Sequence, residues 1–491
     1  DLETHGTFAM QLPPTYNSIS NDPKWESHYM DRIMRLYQRD KIRGNTSVIM
    51  WSLGNEAGGY HNTDAMYDYL KQHSPLSVHY ESAIHCKRQA YDVGSEMYPS
   101  VKMVHNVGEK RRKQARLNDR PYFMCEYAHA MGVGPGNTEA YWQEIYNYDN
   151  LMGGCVWEMV DHAVLHTDGS YTYGGDHGEW EHDRNFCVDG LFYPDRSPST
   201  GAKLMRFIYR PIRVAHVSGG QFEVFNTTAF STGRYRLAFR WNDGSKTILT
   251  PQTAPLMKET VTVPLGRAVD GLLAVIVETT DTVTGQIVSE EQLVLAQEVA
   301  AAPAVKPLPG DVAVEKGRLV CRKSGVVVVA GADEGTLLYR APTDNDVDAM
   351  FHNLMVLYTR QTEETVSTQQ TADGWQVVTK ITNKRGHYMV TDTYKGTDSG
   401  VLVTSVLHRV SGSQEIPRFG KTFRLDEVFD AVHYVGRSGE SYCDMKDQFP
   451  IRAVDCNVAD MTEPNLRPQE SGNRMDCTVA SVSDGKTSRR P

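Results

Sequence analysis

The sequence has 491 residues, of which 40% are hydrophobic and 23% charged, a composition typical of a globular protein with about two to four domains. Its formal net charge of −10 argues against nucleic acid and anionic membranes as partners. No apolar run approaches the roughly 18 residues of a membrane span. The eight cysteines are scattered without a C-x-x-C pair, so they indicate mostly free thiols rather than a zinc or redox motif.

Both ends of the sequence look abrupt. The first residues, DLETHGTFAM, contain neither an initiator methionine nor the basic and apolar regions of a secretory signal. The last residues, DGKTSRRP, end without any closing pattern. We therefore expect the chain to be a fragment of a longer protein, and the compartment, cytoplasm or periplasm, is left open.

Apolar strands and amphipathic helices alternate over residues 1 to about 200. Asp22-Pro23 has the pattern of a helix N-cap followed by proline at the first helical position. One apolar face follows at i, i+3, i+4 and i+7, made of Met30, Ile33, Met34 and Tyr37. Strands are then predicted at 47–53, 76–81, 122–126 and 154–158, with helices at 63–72 and 138–148.

This alternation predicts a parallel sheet covered by helices on both faces. An open doubly wound sheet and a closed eight-stranded barrel would both satisfy the pattern. No G-x-G-x-x-G motif lies at a strand–helix junction, so the usual reason to prefer a dinucleotide-binding fold is missing.

The pattern changes after about residue 205. Alternating, β-branched segments (FEVFNTT, RYRLAFRW and LLAVIVETT) are separated by Gly, Asp and Asn turns. They predict an antiparallel sandwich of about 90 residues. The Ala/Pro-rich segment 296–310 resembles a linker, and a second all-β region begins with GRLVCRKSGVVVVAG and continues to the end.

Two apolar segments end on a glutamate: SVIMWSLGNEAGG carries Glu56, and RPYFMCEYAHAMG carries Glu126. In a parallel barrel, side chains at the carboxyl ends of the strands form the active site. Glycoside hydrolysis needs two facing carboxyl groups, a general acid and a nucleophile or base, about 5–5.5 Å apart in retaining enzymes. Asn55 is placed to donate a hydrogen bond to a sugar 2-hydroxyl. On spacing alone, either glutamate could equally neighbour a helix cap or belong to a surface ion pair.

Several segments resemble, in the same order, the large bacterial β-galactosidases of glycoside hydrolase family 2. They are SVIMWSLGNEAGG, FMCEYAHAMGVGPGN, GGCVWEMVDHAV, YGGDHGEWEHDRNFCVDGLFYPDRSP and RAPTDND. The resemblance implies a multidomain fold that is incomplete at both ends, without barrel strands one and two. Its expected parts are a partial (β/α)8 TIM barrel (1–204), an immunoglobulin-like β-sandwich (205–298), a linker (299–310) and a truncated large antiparallel β-sandwich (311–491).

The resemblance also implies roles for individual residues. Glu56 corresponds to the acid/base and Glu126 to the nucleophile. Tyr98 corresponds to the tyrosine that touches the nucleophile, and His129 to a histidine that binds galactose hydroxyls. Trp157 corresponds to the platform under the apolar face of the sugar. Without the family, these last three would be read as a packing tyrosine, a loop histidine and a core tryptophan.

Two metal sites are implied in the same way. Glu3 and His5, in the opening ETHG, match two ligands of a Mg²⁺ ion whose third ligand is Glu56. Phe186, through its backbone carbonyl, and Asp189 match a Na⁺ site. The family usually has asparagine at the second of these positions, so Asp189 departs from the pattern and adds a negative charge near the substrate.

The implied activity is that of a retaining β-galactosidase, a hydrolase that removes terminal non-reducing β-D-galactose from β-galactosides such as lactose through a galactosyl-enzyme. Three alternatives stay open: a sibling β-glucuronidase or β-mannosidase, an inactive carbohydrate-binding fragment, and a metal-dependent lyase or hydrolase built on Glu3, His5 and Glu56. An incomplete barrel leaves open edges, so the chain alone could be inactive. The expected partner is a β-galactoside, with neither nucleic acid nor a membrane, and the family suggests a homo-oligomer.

Overall fold

The computed structural model divides into two compact units. The first comprises Asp1–Ala130, Gly134–Leu165 and Thr172–Ser197, and the second comprises Met131–Val133, His166–Tyr171 and Pro198–Pro491. The structure describes residues 19–56, 60–81, 83, 91–112, 118–298, 304–315, 318–321, 327–329, 335–347, 361–398, 400–413, 416–422, 428–485 and 488–489.

Parallel strands and helices alternate in the first unit. The strands are β1 (Met50–Ser52), β2 (Ser77–His79), β3 (Gly94–Met97), β4 (Tyr122–Tyr127) and β5 (Leu151–Val156). The pair β1–β2 and the three-stranded sheet β3–β4–β5 are both parallel. The helices are α1 (Glu26–Arg43), α2 (His61–His73), α3 (Val101–Gly108) and α4 (Thr138–Asn147). The predicted parallel arrangement is therefore confirmed, although the sequence pattern did not predict β3 or α3.

Helix α1 shows why the first part of the sequence is helical. The Asp22 carboxylate accepts the backbone N–H of Lys24 at 3.0 Å and caps the short 3₁₀ turn Pro23–Trp25 that leads into the helix. The helix ends at Gly44, whose φ of +61° closes the last turn. Ile33 is buried as expected, but Met34 is exposed, because the buried face runs through Tyr29 instead.

The helices pack against the strands through two apolar clusters. One apolar cluster joins α1 and α2 to β1 and β2, and a second joins α3 and α4 to β4 and β5. Tyr122, Met124 and Tyr127 of β4 all point into the second cluster. The polar residues that follow each strand lie outside these clusters.

The second unit is largely antiparallel. Strand β8 (Ile212–Ser218) follows α5 (Thr200–Ile208), and the sheets β12–β9–β8 and β11–β10–β13–β14 share one apolar core. This is the predicted antiparallel sandwich. The remaining strands of these two sheets are β9 (Gln221–Asn226), β10 (Tyr235–Trp241), β11 (Lys246–Leu249), β12 (Lys258–Thr262), β13 (Leu272–Asp281) and β14 (Ile287–Gln297).

The predicted second all-β region is also confirmed. Its larger sheets have the strand orders β19–β20–β21–β22 and β25–β24–β26–β27. Its strands are β15 (Val312–Glu315), β16 (Arg318–Cys321), β17 (Val327–Val329), β18 (Thr336–Leu337), β19 (Thr362–Thr371), β20 (Gly374–Asn383), β21 (Gly386–Gly396), β22 (Val401–Gly412), β23 (Gly420–Lys421), β24 (Ala431–Arg437), β25 (Ile451–Asn457), β26 (Val479–Ser483) and β27 (Ser488–Arg489). A short helix, α6 (Asp344–Val347), lies between β18 and β19.

Short elements also lie between the larger ones. Two short strands, β6 (Val164–Leu165) and β7 (Tyr171–Thr172), follow β5 in the chain. A 3₁₀ turn, Val458–Met461, follows β25. Within the described ranges, no helix combines the length and the apolar character needed to cross a membrane.

Candidate active site

The carboxyl ends of the five parallel strands gather the residues that the sequence singled out. Asn55 and Glu56 follow β1, Tyr98 follows β3 directly, Glu126 lies near the end of β4, and Trp157 follows β5. Parallel strands present their carboxyl ends at one edge, where loops are free to carry polar groups. All of these residues belong to the first unit.

An irregularity in β4 determines which way Glu126 points. Pairing with β3 runs from Glu96↔Met124 to Met97↔Glu126, so Cys125 is an extra residue in the ladder. Pairing with β5 is shifted in the same stretch. Strict alternation would put Glu126 on the same face as Met124, in the apolar cluster under the helices. The bulge reverses the alternation and turns Glu126 away from that cluster.

Tyr98 touches Glu126 in two places. Its backbone N–H donates to the Glu126 carbonyl at 2.8 Å, and its hydroxyl donates to the Glu126 carboxylate. Burial raises the pKa of Glu126 to about 7; the Tyr98 hydrogen bond opposes the shift, and the negative charges of Glu56 and Asp189 add to it. Burial and the same carboxylates raise the pKa of Tyr98, so the hydroxyl keeps its proton and stays a donor.

Glu56 and Glu126 are close enough to interact electrostatically. The charge of Glu56 raises the pKa values of both Glu126 and Tyr98. Glu56 adopts the left-handed conformation with φ of +48°, and its backbone N–H donates to the Glu81 carboxylate at 3.1 Å. The structure therefore brings the two strand-end glutamates within electrostatic range of each other. Asn55, directly before Glu56, is half-buried.

Asp189 anchors a second group of predicted residues. Its side chain is 1% exposed, and its Oδ2 accepts the indole N–H of Trp157 at 3.1 Å. The same oxygen lies 3.6 Å from Nε2 of His129. The His129 ring lies between Tyr98 and Phe186, with centroid distances of 6.0 and 6.2 Å. Burial lowers the pKa of His129 against the opposing charge of Asp189.

Trp157 and His129 are both suited to bind a ligand that has polar groups and an apolar face. Trp157 leaves 37% of its surface exposed, while its indole N–H is fixed by Asp189. Nδ1 of His129 is buried and has no hydrogen-bond partner within the described residues. The indole ring of Trp157 is held in place with one face exposed, and Nδ1 of His129 has the capacity for a hydrogen bond. Both features suit the binding of a hydroxylated ring.

Two further carboxyl groups were missed as site residues. Glu81 follows β2 and bonds to the backbone of Glu56, and Glu158 follows Trp157. Burial, together with the adjacent carboxyl of Asp189, raises the pKa of Glu158 to about 8. Both residues end predicted strands, at 76–81 and 154–158, so the rule that selected Glu56 and Glu126 would have selected them as well.

The two implied metal sites differ in whether their residues fall within the described ranges. Glu3 and His5 lie outside the described residues, and within the described part no cluster of three or more His, Cys, Asp or Glu side chains forms a metal site. At the implied sodium position, Oδ1 of Asp189 is buried and has no hydrogen-bond partner among the residues described. This buried carboxylate oxygen of Asp189, three residues after Phe186, is an oxygen ligand that fits a hard cation.

Comparison with known proteins agrees with the resemblance noted in the sequence. The family model for the TIM barrel domain of glycosyl hydrolases family 2 matches residues 1–214, and that for the β-galactosidase small chain matches residues 313–489. A β-galactosidase of Priestia megaterium is 29% identical, covering 99% of this chain and 51% of that protein. A β-galactosidase of Pectobacterium atrosepticum is 39% identical, covering 40% of this chain and 19% of that protein.

The similarity to solved structures is weaker. β-Glucuronidase 3 of Bacteroides uniformis aligns with 80% of this chain and 53% of its own, at 12% identity and a TM-score of 0.29. The chain spans about half the length of the curated relatives that it matches over nearly all of its own length. Residues 1–214 therefore match the TIM barrel domain of the glycosyl hydrolases of family 2, and the chain is similar to β-galactosidases over nearly all of its own length.

Proposed function

We propose that the protein carrying this chain is a retaining β-galactosidase that cleaves terminal non-reducing β-D-galactose from β-galactosides such as lactose. The observation that supports it most is the pairing of Glu56 with Glu126 at the ends of two parallel strands, in a site where the charge of Glu56 acts on Glu126. The relatives named β-galactosidase support the choice of sugar.

In this proposal Glu126 attacks the anomeric carbon and forms a galactosyl-enzyme. Attack requires the ionised carboxylate, and the hydroxyl of Tyr98 favours that form by donating to it. Glu56 protonates the departing oxygen in the first step. It then removes a proton from the water that releases galactose, as microscopic reversibility requires.

The surrounding residues hold the sugar. Trp157 would lie under its apolar face, with the ring orientation set by the hydrogen bond to Asp189. His129, neutral at pH 7 because its pKa is lowered, would bind hydroxyl groups through a ring nitrogen. Asn55 would donate to the 2-hydroxyl, a contact that strengthens in the transition state.

Two cations belong to the proposal. Glu3, His5 and Glu56 would hold Mg²⁺, and the Phe186 carbonyl and the buried Asp189 carboxylate would hold Na⁺. A cation at either place would offset the negative charge that the carboxylates concentrate in this site. The finer features of the fold, a TIM barrel of which this chain carries the C-terminal part, an immunoglobulin-like sandwich topology and a homo-oligomeric assembly, are proposed on the same family grounds.

Covalent trapping tests both the mechanism and the nucleophile. A 2-deoxy-2-fluoro-β-galactoside with a dinitrophenyl leaving group should accumulate as a 2-deoxy-2-fluorogalactosyl adduct, because the fluorine slows both steps while the good leaving group keeps formation fast. Peptide mass spectrometry should find the adduct on Glu126. An adduct on Glu56, or none in an enzyme that turns over aryl β-galactosides, would contradict the assignment.

Matched aryl glycosides separate the sibling activities. The β-galactoside should be hydrolysed faster than the β-glucuronide and the β-mannoside. A preference for either of the latter would move the protein to that activity. Calorimetric binding of galactose without any hydrolysis would instead favour an inactive binding fragment.

A further inference from the structure

Glu81 occupies a rigid position at the end of β2. The residue before it, Tyr80, is fully buried, and His79 is held between the hydroxyls of Ser52 and Ser95 at 3.0 and 2.8 Å. The backbone N–H of Leu53 donates to the His79 carbonyl at 3.0 Å and ties the end of β1 to this strand. The backbone that carries the Glu81 carboxyl therefore has little freedom to move.

Glu81 contacts the backbone of Glu56. Its Oε2 accepts the Glu56 N–H at 3.1 Å, and Glu56 has a φ of +48°. Residues other than glycine rarely adopt this left-handed conformation, which persists only where the surroundings hold it. Because φ sets the direction of the Cα–Cβ bond, the conformation decides where the Glu56 carboxyl points.

Glu81 also faces the other half of the site. Its negative charge raises the pKa values of Glu126 and of the neighbouring Cys125. A carboxylate that bonds to Glu56 and acts electrostatically on Glu126 lies in the site itself rather than on a distant surface. Its bond to the acid/base residue runs through the backbone N–H of that residue.

We propose that Glu81 is a positioning residue that holds Glu56 in its left-handed conformation and so aims the acid/base carboxyl at the departing oxygen. The inference rests on the proposed function, since it concerns the step in which Glu56 transfers a proton. A misplaced acid affects substrates unequally: a poor leaving group needs the proton, whereas a good one departs without it.

Leaving-group dependence in the full-length protein tests this role. Glu81→Ala should lower kcat/KM for phenyl β-galactoside about 100-fold, in the range attributed to general acid catalysis. For 2,4-dinitrophenyl β-galactoside the same variant should lose less than about 5-fold, because bond cleavage there needs no acid. Azide should raise kcat of the variant on the dinitrophenyl substrate, since it attacks the galactosyl-enzyme without help from a base.

Three variants make the test independent of folding losses. Glu81→Gln keeps an oxygen acceptor of the same reach and should retain more activity on the phenyl substrate than Glu81→Ala. Glu144→Ala, which removes a carboxylate paired with His105 on the outer helices, is the matched control and should leave both values within about 2-fold. Thermal melting of each variant checks that it is folded.

The outcomes separate the two proposals. Equal losses on both substrates, or no loss on either, would overturn the positioning role of Glu81 while leaving the glycosidase assignment intact. If the wild type turned over none of the aryl β-galactosides, the proposed function would fail, and the role of Glu81 with it.

Discussion

Glu96 and Glu126 lie on neighbouring parallel strands, β3 and β4, and each accepts a hydrogen bond from a tyrosine hydroxyl. Their other partners differ. Glu96 is 7% exposed and binds the Arg112 guanidinium through both carboxylate oxygens, one of them at 2.7 Å. Glu126 forms no salt bridge with Lys or Arg within the described residues, and Glu56, Glu81 and Asp189 act on it with negative charge.

The difference shows what separates a structural carboxylate from a reactive one. A buried carboxylate with a bidentate arginine is fully satisfied, so it holds strands together and has little capacity left for chemistry. A carboxylate left among other carboxylates has a raised pKa and unsatisfied bonding capacity, which is typical of active sites. The comparison can be tested by changing each residue and its tyrosine in turn.

The largest expected effect is on turnover in Glu126→Gln. The amide cannot form the galactosyl-enzyme, so kcat for an aryl β-galactoside should fall by at least about 10⁴-fold, as for other essential nucleophiles. Stability should not fall. Because the folded pKa of Glu126 is about 7, above its ordinary value, its ionised form disfavours folding as pH rises toward 7, and the neutral amide removes that penalty.

Steady-state kinetics and thermal melting at pH 8 check both parts. The melting temperature of the variant should equal or exceed that of the wild type. The variant Glu144→Gln should keep wild-type kinetics. A wild-type rate in Glu126→Gln would exclude it as the nucleophile, and a clear drop in melting temperature would show that this carboxylate is structural, like Glu96.

The second effect is on stability in Glu96→Gln. Losing the charge leaves the Arg112 guanidinium, only 11% exposed, without its ionised partner, and the free energy of unfolding should fall by about 3–5 kcal/mol. Urea denaturation measures the change. Activity per folded molecule should stay near the wild-type value, because Glu96 does not contact the proposed substrate site.

A double change sharpens this result. Replacing both Glu96 and Arg112 with methionine removes the stranded charge, so the double variant should be more stable than Glu96→Gln. If the double variant were less stable than the single one, the penalty would come from lost packing rather than from an unpaired cation.

Sequence reasoning predicted the positions of the strands more accurately than it predicted which residues contact each other. The apolar runs and the cap at Asp22 are local signals, and they predicted β1, β2, β4, β5 and α1 within a few residues. Strand β3, with the sequence GSEM, has too little apolar character to be recognised. The extra residue at Cys125 depends on how three strands pair, and no local pattern encodes that.

The same limit applies to the site. Glu81 and Glu158 end predicted strands like Glu56 and Glu126, so the strand-end rule alone could not rank the four, and Glu96 lies on a strand that was not predicted. The ion pair with Arg112 gives Glu96 its structural role. Arg112 is 16 residues from Glu96 in the sequence and belongs to no recognisable motif. Only the family resemblance separated Glu56 and Glu126 from the others. The contacts that support that choice are tertiary.

The smallest effect concerns the two tyrosines. Tyr98→Phe removes the hydrogen bond that favours ionised Glu126, so the pKa of Glu126 should rise above about 7. The acid side of the pH profile of kcat/KM for a dinitrophenyl β-galactoside should then move to higher pH, with the greatest loss of activity below pH 7. Tyr122→Phe removes the equivalent hydroxyl from Glu96 and serves as the control. It should lower stability by about 1 kcal/mol and leave the profile in place. If both variants moved the profile alike, the two tyrosines would act through the packing of β3 and β4, and the contrast between the two glutamates would not depend on their hydroxyl partners.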